Sequence, residues 1–227
     1  MGRKFQFSIG EFYHLYNRGN DKRAIFLDDS DKERFTKLLF LCNSPNSFVF
    51  RDLTEVEPMR IIHTIGSTYG KTKDVIVDIG AYCLMSNHFH ILVHERQENG
   101  ISQFMQKLST AYTMYFNKKY KRSGALFGGR FRATRADEDR YLEYLFAYIH
   151  LNPIKLIDPD WKERGISDIE RSKKFLEQYL YSSYWDYIGR ERQEAIILNR
   201  SAFPEYFQSP KEFDQFLSSW LAFSSSP

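Results

Sequence analysis

Residues 75–94 read VIVDIGAYCLMSNHFHILVH, and the way this stretch divides decides the fold. Val75, Val77, Ile79, Ala81, Cys83 and Met85 alternate along one side, the period of two that a half-buried strand imposes. Ser86 and Asn87 then supply turn chemistry, and HFHILVH resumes the alternation, so the two halves predict a β-hairpin. In the second strand Phe89, Ile91 and Val93 point to the core, and His88, His90, Leu92 and His94 to the other side. The imidazoles at 88 and 90 thus leave one face about 6.7 Å apart, a span that two inward-leaning histidines can close around a metal ion. His94 lies too far along to join them. An isolated His-x-His is more often the polar coat of a wet sheet face, so the pair alone does not define a site.

Outward from the hairpin, FYHLYNRG (12–19) reads as a first strand, and DDSDKERFTKLLFLC (28–42) as an acid-capped helix with Phe35, Leu38, Leu39 and Cys42 on one face. Residues 43–74 carry no sustained period and are expected to be an irregular insertion. From Ile101 to near Ser123 the period changes to three and four, that of a long amphipathic helix. GGRFRATRA (128–136) predicts another strand, and acidic residues before a terminal proline predict a helix from Asp139 to Asn152. This order implies an α+β, ferredoxin-like antiparallel sheet with helices packed on it, over residues 1–157. Residues 158–227 form an aromatic-rich, mainly helical C-terminal extension, with helices near 168–179 and 210–223.

With 227 residues and 42% hydrophobic content, the chain can bury a real core. Cys42 and Cys83 alone support neither a disulfide framework nor a zinc cluster, and no apolar run reaches membrane-spanning length. The N-terminus lacks a signal-peptide core, so the expectation is a soluble cytoplasmic protein with no membrane partner. The net charge of +3 says little, but its distribution says more. Between Glu98 and Asp137 no acid occurs, while Lys107, Lys118, Lys119, Lys121, Arg122, Arg130, Arg132 and Arg135 all do. Such a segment points to phosphate, and Tyr120 and Phe127, if exposed, can stack on unpaired bases. A solvated basic helix face is the plainer alternative.

Tyr148 and Asn152 are four apart and share one face of the last predicted helix. An amide oxygen can ligate a hard cation, and a phenol beside it can act as a nucleophile. Tyr141, Leu145, Tyr148 and Asn152 also form one stripe, which periodicity alone reads as core.

AYCLMSNHFHILV, GISQFMQKLSTAYTMYFNKKYKRSGALFGGRF and YLEYLFAYIHLNPIK together resemble the IS200-like tyrosine transposases, HUH single-strand nucleases, and in particular their REP-associated branch. The likeness runs from YHLYNRG to about residue 157, and YSSYWDYIG (181–189) resembles a short element that often follows. Ser86 stands where the family usually has proline, and the insertion at 43–74 is longer than the family leads one to expect. The resemblance implies His88, His90 and Asn152 as ligands of Mg²⁺ or Mn²⁺ and Tyr148 as the nucleophile. It implies cleavage and rejoining of single-stranded, hairpin-forming DNA through a 5′-phosphotyrosine. Lys118, Lys119, Lys121, Arg122, Arg130, Arg132 and Arg135 are the residues expected to meet the DNA backbone, with Asn17 and Arg18 as further candidates. Family members include dimers and monomers, so a homodimer is left open. The competing readings are a palindromic-DNA binder that does not cut and a phosphodiesterase that uses water.

Overall fold

The computed structural model describes residues 6–45 and 75–223, so most of the insertion expected at 43–74 lies outside the described residues. β1 (Phe12–Arg18), α1 (Asp29–Leu41), β2 (Val77–Leu84), β3 (His88–Glu95), α2 (Gly100–Lys119), β4 (Arg132–Arg135) and α3 (Asp139–Leu151) follow in the expected order. The strands form one four-stranded antiparallel sheet in the spatial order β2-β3-β1-β4. With α1 and α2 on one face, this is the ferredoxin-like succession.

Local chemistry fixes where the helices begin. The Asp28 carboxylate accepts from the Asp31 N–H at 3.0 Å and caps α1. Glu95, the last residue of β3, is fully buried, and its carboxylate accepts from the Ile101 N–H at 2.8 Å, so strand end and helix start are tied together. α2 stops at Lys119, short of the expected Ser123, and Lys121 just beyond takes a left-handed backbone at φ 51°. The strand expected over 128–136 is confined to 132–135, because Gly128 and Gly129 bend, the latter at φ 140°.

Tyr13, Leu15, Phe89, Ile91 and Val93 meet Phe35, Leu38, Phe104, Leu108 and Tyr112 on the α1/α2 side. Each such fully buried side chain contributes roughly 1.5–3 kcal/mol. The opposite face is not wet. Ala81, Cys83 and Leu92 pack there against Leu142, Leu145, Phe146 and Ile149 of α3.

The extension holds α4 (Trp161–Arg164), α5 (Ile169–Leu176), α6 (Tyr184–Tyr187) and α7 (Pro210–Phe223). Its aromatics Tyr187, Phe203, Phe207 and Phe213 join the cluster around Phe146. Phe203 lies over Gly80, where a β-carbon would sit 2.6 Å from its ring, so only glycine admits this contact at the irregularity between Ile79 and Ala81. Tyr181–Ser183 runs beside β2: the Leu84 N–H donates to the Tyr181 carbonyl and the Ser183 N–H to the Tyr82 carbonyl, both at 2.9 Å. The Ser183 hydroxyl accepts from the Tyr82 N–H at 2.9 Å and lies 2.7 Å from Nε2 of the fully buried His150. Burial draws the His150 pKa down to about 3, so the ring is a neutral peg between sheet, α3 and extension. Among the described residues no helix is long and apolar enough to cross a membrane.

Candidate active site

β3 sends His88 and His90 toward α3 with ring centroids 5.0 Å apart. α3 crosses that face and sets the Tyr148 ring edge-on to His90, 5.3 Å between centroids. One turn later Pro153 converts the helix to a 3-10 turn over Asn152–Leu156, and Asn152 is held there 1% exposed. The four residues expected from sequence therefore converge within one chain. His94 stays apart, 3.0 Å from an Asp78 carboxylate that also accepts from Arg96 and Asn199.

Hydrogen bonds around the pair fix how the rings present themselves. The Asn87 amide donates from Nδ2 to the Lys22 carbonyl at 3.0 Å, which turns its Oδ1 toward His88 Nδ1 at 2.7 Å. His88 Nδ1 must then carry the proton, leaving Nε2 as a lone pair. His90 Nδ1 lies 2.8 Å from Nε2 of His14, a buried residue of β1. His90 Nε2 and both polar atoms of the Asn152 amide are buried with no hydrogen-bond partner. An imidazole nitrogen and an amide oxygen without protein partners, beside a second, oriented imidazole, have the donor chemistry of a divalent-metal site, so the residues present fit such an ion. Among the described residues no three His, Cys, Asp or Glu side chains gather to hold one, and the Asn152 amide is a further oxygen donor near the pair.

The site is also positively charged. Burial draws the His88 pKa down to about 4, Arg18 and Lys155 add to the effect, and Asn152 opposes it. His14 is pulled to about 4 by burial and by Lys162, and His90 is lowered by burial, its histidine neighbours and the two lysines. Burial raises the Tyr148 pKa, against which Asn152 acts. Asn152 thus lies near both His88 and Tyr148 without completing a hydrogen bond to either. The resting phenol is protonated at neutral pH.

The basic segment is more divided than its sequence suggests. Lys118, Lys121, Arg130 and Arg132 are exposed. Arg132 stands opposite Tyr16, itself opposite His90, so it shares the face of the histidine pair. Arg135 pairs with Tyr13 on the other face and forms an ion pair with Glu11 at 2.7 Å. Lys119 is engaged by Asp28, Ser30 and Asp31, and the Arg122 guanidinium packs 5.6 Å from the Phe116 ring. Phe127 is only 7% exposed in the core, and Tyr120 packs on Phe116 while its hydroxyl donates to Asp31 at 2.8 Å, so neither is a free stacking platform. Asn17 donates to the Gly129 carbonyl at 3.1 Å and accepts from the Arg18 N–H at 2.8 Å, a strand-end role.

A family model described as transposase IS200 like matches residues 12–152. The chain belongs to the IS200-like transposase family. The matched span of this transposase opens on the first residue of β1 and closes on Asn152. A solved structure of a REP-associated tyrosine transposase bound to a REP hairpin is similar at 12% identity and a TM-score of 0.47, covering 86% of this chain and 89% of that one. No curated protein sequence matches this transposase.

Sequence reasoning missed His14, Asn87, Lys155 and Lys162. His14 alternates with Tyr16 and Arg18 in β1, which places all three on one face, but nothing local says that this face meets His90. Asn87 was legible only as a turn residue. The lysines act from beyond the matched span.

Proposed function

We propose that this transposase cleaves and rejoins single-stranded, hairpin-forming DNA through a 5′-phosphotyrosine on Tyr148, with Mg²⁺ or Mn²⁺ on His88, His90 and Asn152. The observation that carries this reading is the set of unpartnered buried atoms, His90 Nε2 and the Asn152 amide, beside Tyr148 of the same chain. When bound, the ion would supply a Lewis acid for a non-bridging phosphate oxygen. The Tyr148 oxygen attacks phosphorus, the bond from phosphorus to the 3′ oxygen breaks, and the phenolic proton ends on the departing 3′ hydroxyl. One ester replaces another, so a second 3′ hydroxyl reverses the step without an energy cofactor. The test is a labelled hairpin with a single-stranded flank, incubated with Mn²⁺ or Mg²⁺ and run under denaturing conditions. A protein-linked band that needs the ion is expected; free cleaved ends without one would instead indicate attack by water.

In this reading residues 1–157 are the nuclease unit, and 158–227 an extension that covers the face behind α3. It acts in the cytoplasm, where Cys42 and Cys83 stay as buried thiols.

His14 holds His90 by its Nδ1, and groups in that position orient a ligand and raise its basicity. His14→Phe keeps an aromatic ring and removes the hydrogen bond, so Mn²⁺ affinity by calorimetric titration should fall about 10- to 100-fold. Unchanged affinity would show that His90 is positioned by packing alone.

Lys118, Lys121, Arg122, Arg130 and Arg132 are the proposed backbone contacts, with the paired Lys119 and Arg135 adding to the local field. Replacing Arg130 and Arg132 by alanine should weaken hairpin binding and flatten the plot of log K against log salt by about 1.5. A salt titration that superimposes on the wild type would reject these two contacts.

A further inference from the structure

Two lysines outside the family-matched span stand at the site. Residues three apart in a 3-10 turn eclipse, so Lys155 stands on the side of the Asn152–Leu156 turn that carries Asn152. The chain then loops back, closed by the Asp158 carboxylate, which accepts from the Ser167 N–H at 3.1 Å and its hydroxyl at 2.8 Å. Inside this loop Trp161 is 5% exposed in the α3 cluster and pins α4 down. Its neighbour Lys162 is thereby directed over the nucleophile, with Nζ 3.8 Å from the centroid of the Tyr148 ring.

No carboxylate bridges either lysine among the described residues; the Lys162 ammonium sits between the rings of Tyr148 and Trp161. The charges of both lysines reach His88 and His90. Glu163, the next residue, offsets part of the Lys162 charge without forming an ion pair with it, so the two lysines together leave a net positive surface complementary to an anion, and DNA brings one to this place. A cation on the face of a phenol also favours the phenolate over the neutral ring and restrains its rotation.

We propose that Lys162 is a positioning residue for Tyr148, and that Lys162 and Lys155 together form the subsite that receives the scissile phosphate. The proposal rests on Tyr148 being the nucleophile. Burial and the Lys155 charge, against a smaller opposing pull from Glu163, draw the Lys162 pKa down to about 8, a penalty that an arriving phosphate relieves.

Two measurements separate this subsite from the reading it rests on. In single-turnover adduct formation with saturating hairpin and Mn²⁺, Lys162→Met should be about 10- to 100-fold slower, with hairpin affinity within about threefold of wild type. Lys162→Arg should recover most of the rate, because it restores charge, whereas a purely structural lysine would be replaced as well by Met. In the second measurement, a single strand spanning the cleavage position should shield Lys155 and Lys162 from amine acylation in the Tyr148→Phe protein. A wild-type rate for Lys162→Met, an Arg variant as slow as the Met variant, or no shielding would each overturn the subsite. Shielding without any adduct in the wild type would overturn the nucleophile and the positioning role, and leave the anion subsite standing.

Discussion

The Tyr148→Phe protein is expected to bind a labelled hairpin as tightly as the wild type and to form no denaturation-resistant adduct with it. The Tyr148 ring is half-buried and packs edge-on against His90 and His14, at 5.3 and 5.7 Å between centroids, contacts that phenylalanine keeps. The change removes one oxygen and nothing from the fold, so thermal stability should move by less than about 1 kcal/mol. The reaction loses its attacking atom, and the rate should drop by about 10⁴-fold or to the limit of detection. An adduct of undiminished yield would mean that another residue attacks. Cleavage without linkage would mean that water does.

His90→Ala should have the second largest effect, and it reads out without DNA. A ligand that binds only the native state adds RT ln(1 + [L]/Kd), about 2.7 kcal/mol at a hundred times Kd, so Mn²⁺ should raise the melting temperature of the wild type. With His90 replaced, two of the proposed donors remain, and both the thermal shift and adduct formation should be lost. A full shift in the variant would place the ion elsewhere. The pH dependence has a definite sign. Protons compete with a metal for the imidazole lone pair, and the His88 pKa lies near 4 instead of 6.5 because the ring is buried among cations. The Mn²⁺ shift should therefore persist below pH 6 and fade as pH approaches 4, whereas an ordinary exposed histidine pair would begin to release the ion near 6.5.

The hairpin was legible because β3 obeys a period of two and the turn is marked by Ser86 and Asn87, but β2 does not keep one face as its alternation suggests: the irregularity at Gly80 puts Val77 and Ile79 in the α1/α2 core and Ala81, Cys83 and Met85 in the core on the α3 side. α3 was legible for a similar reason: an acidic start, a 3.6-residue stripe and a terminal proline. That stripe resolves into both of its readings, with Leu145 in the core and Tyr148 over the histidines. What escaped the sequence is long-range. His14 reaches His90 across 76 positions, and Lys119 meets Asp28 across 91, so a run of basic residues could not reveal which were already matched by acids. Arg135 was grouped with Arg132 by spacing, yet three positions along a strand put the two on opposite faces. The covering of the histidine face by α3 and the extension likewise depends on where segments far along the chain return.

Tyr181–Ser183 occupies the Tyr82 and Leu84 backbone groups of β2, and Asn199 and Tyr187 the Ile79 and Gly80 carbonyls, so among the described residues this stretch of the margin is already paired and closed to a strand from a neighbouring molecule. The far margin, β4, is four residues long, with arginine at each end. Short length and charge make that margin a poor template for a second sheet, and since His88, His90 and Tyr148 meet within one chain, dilution is expected to leave the turnover of each molecule unchanged; a specific activity that falls on dilution would show that a second chain completes the site.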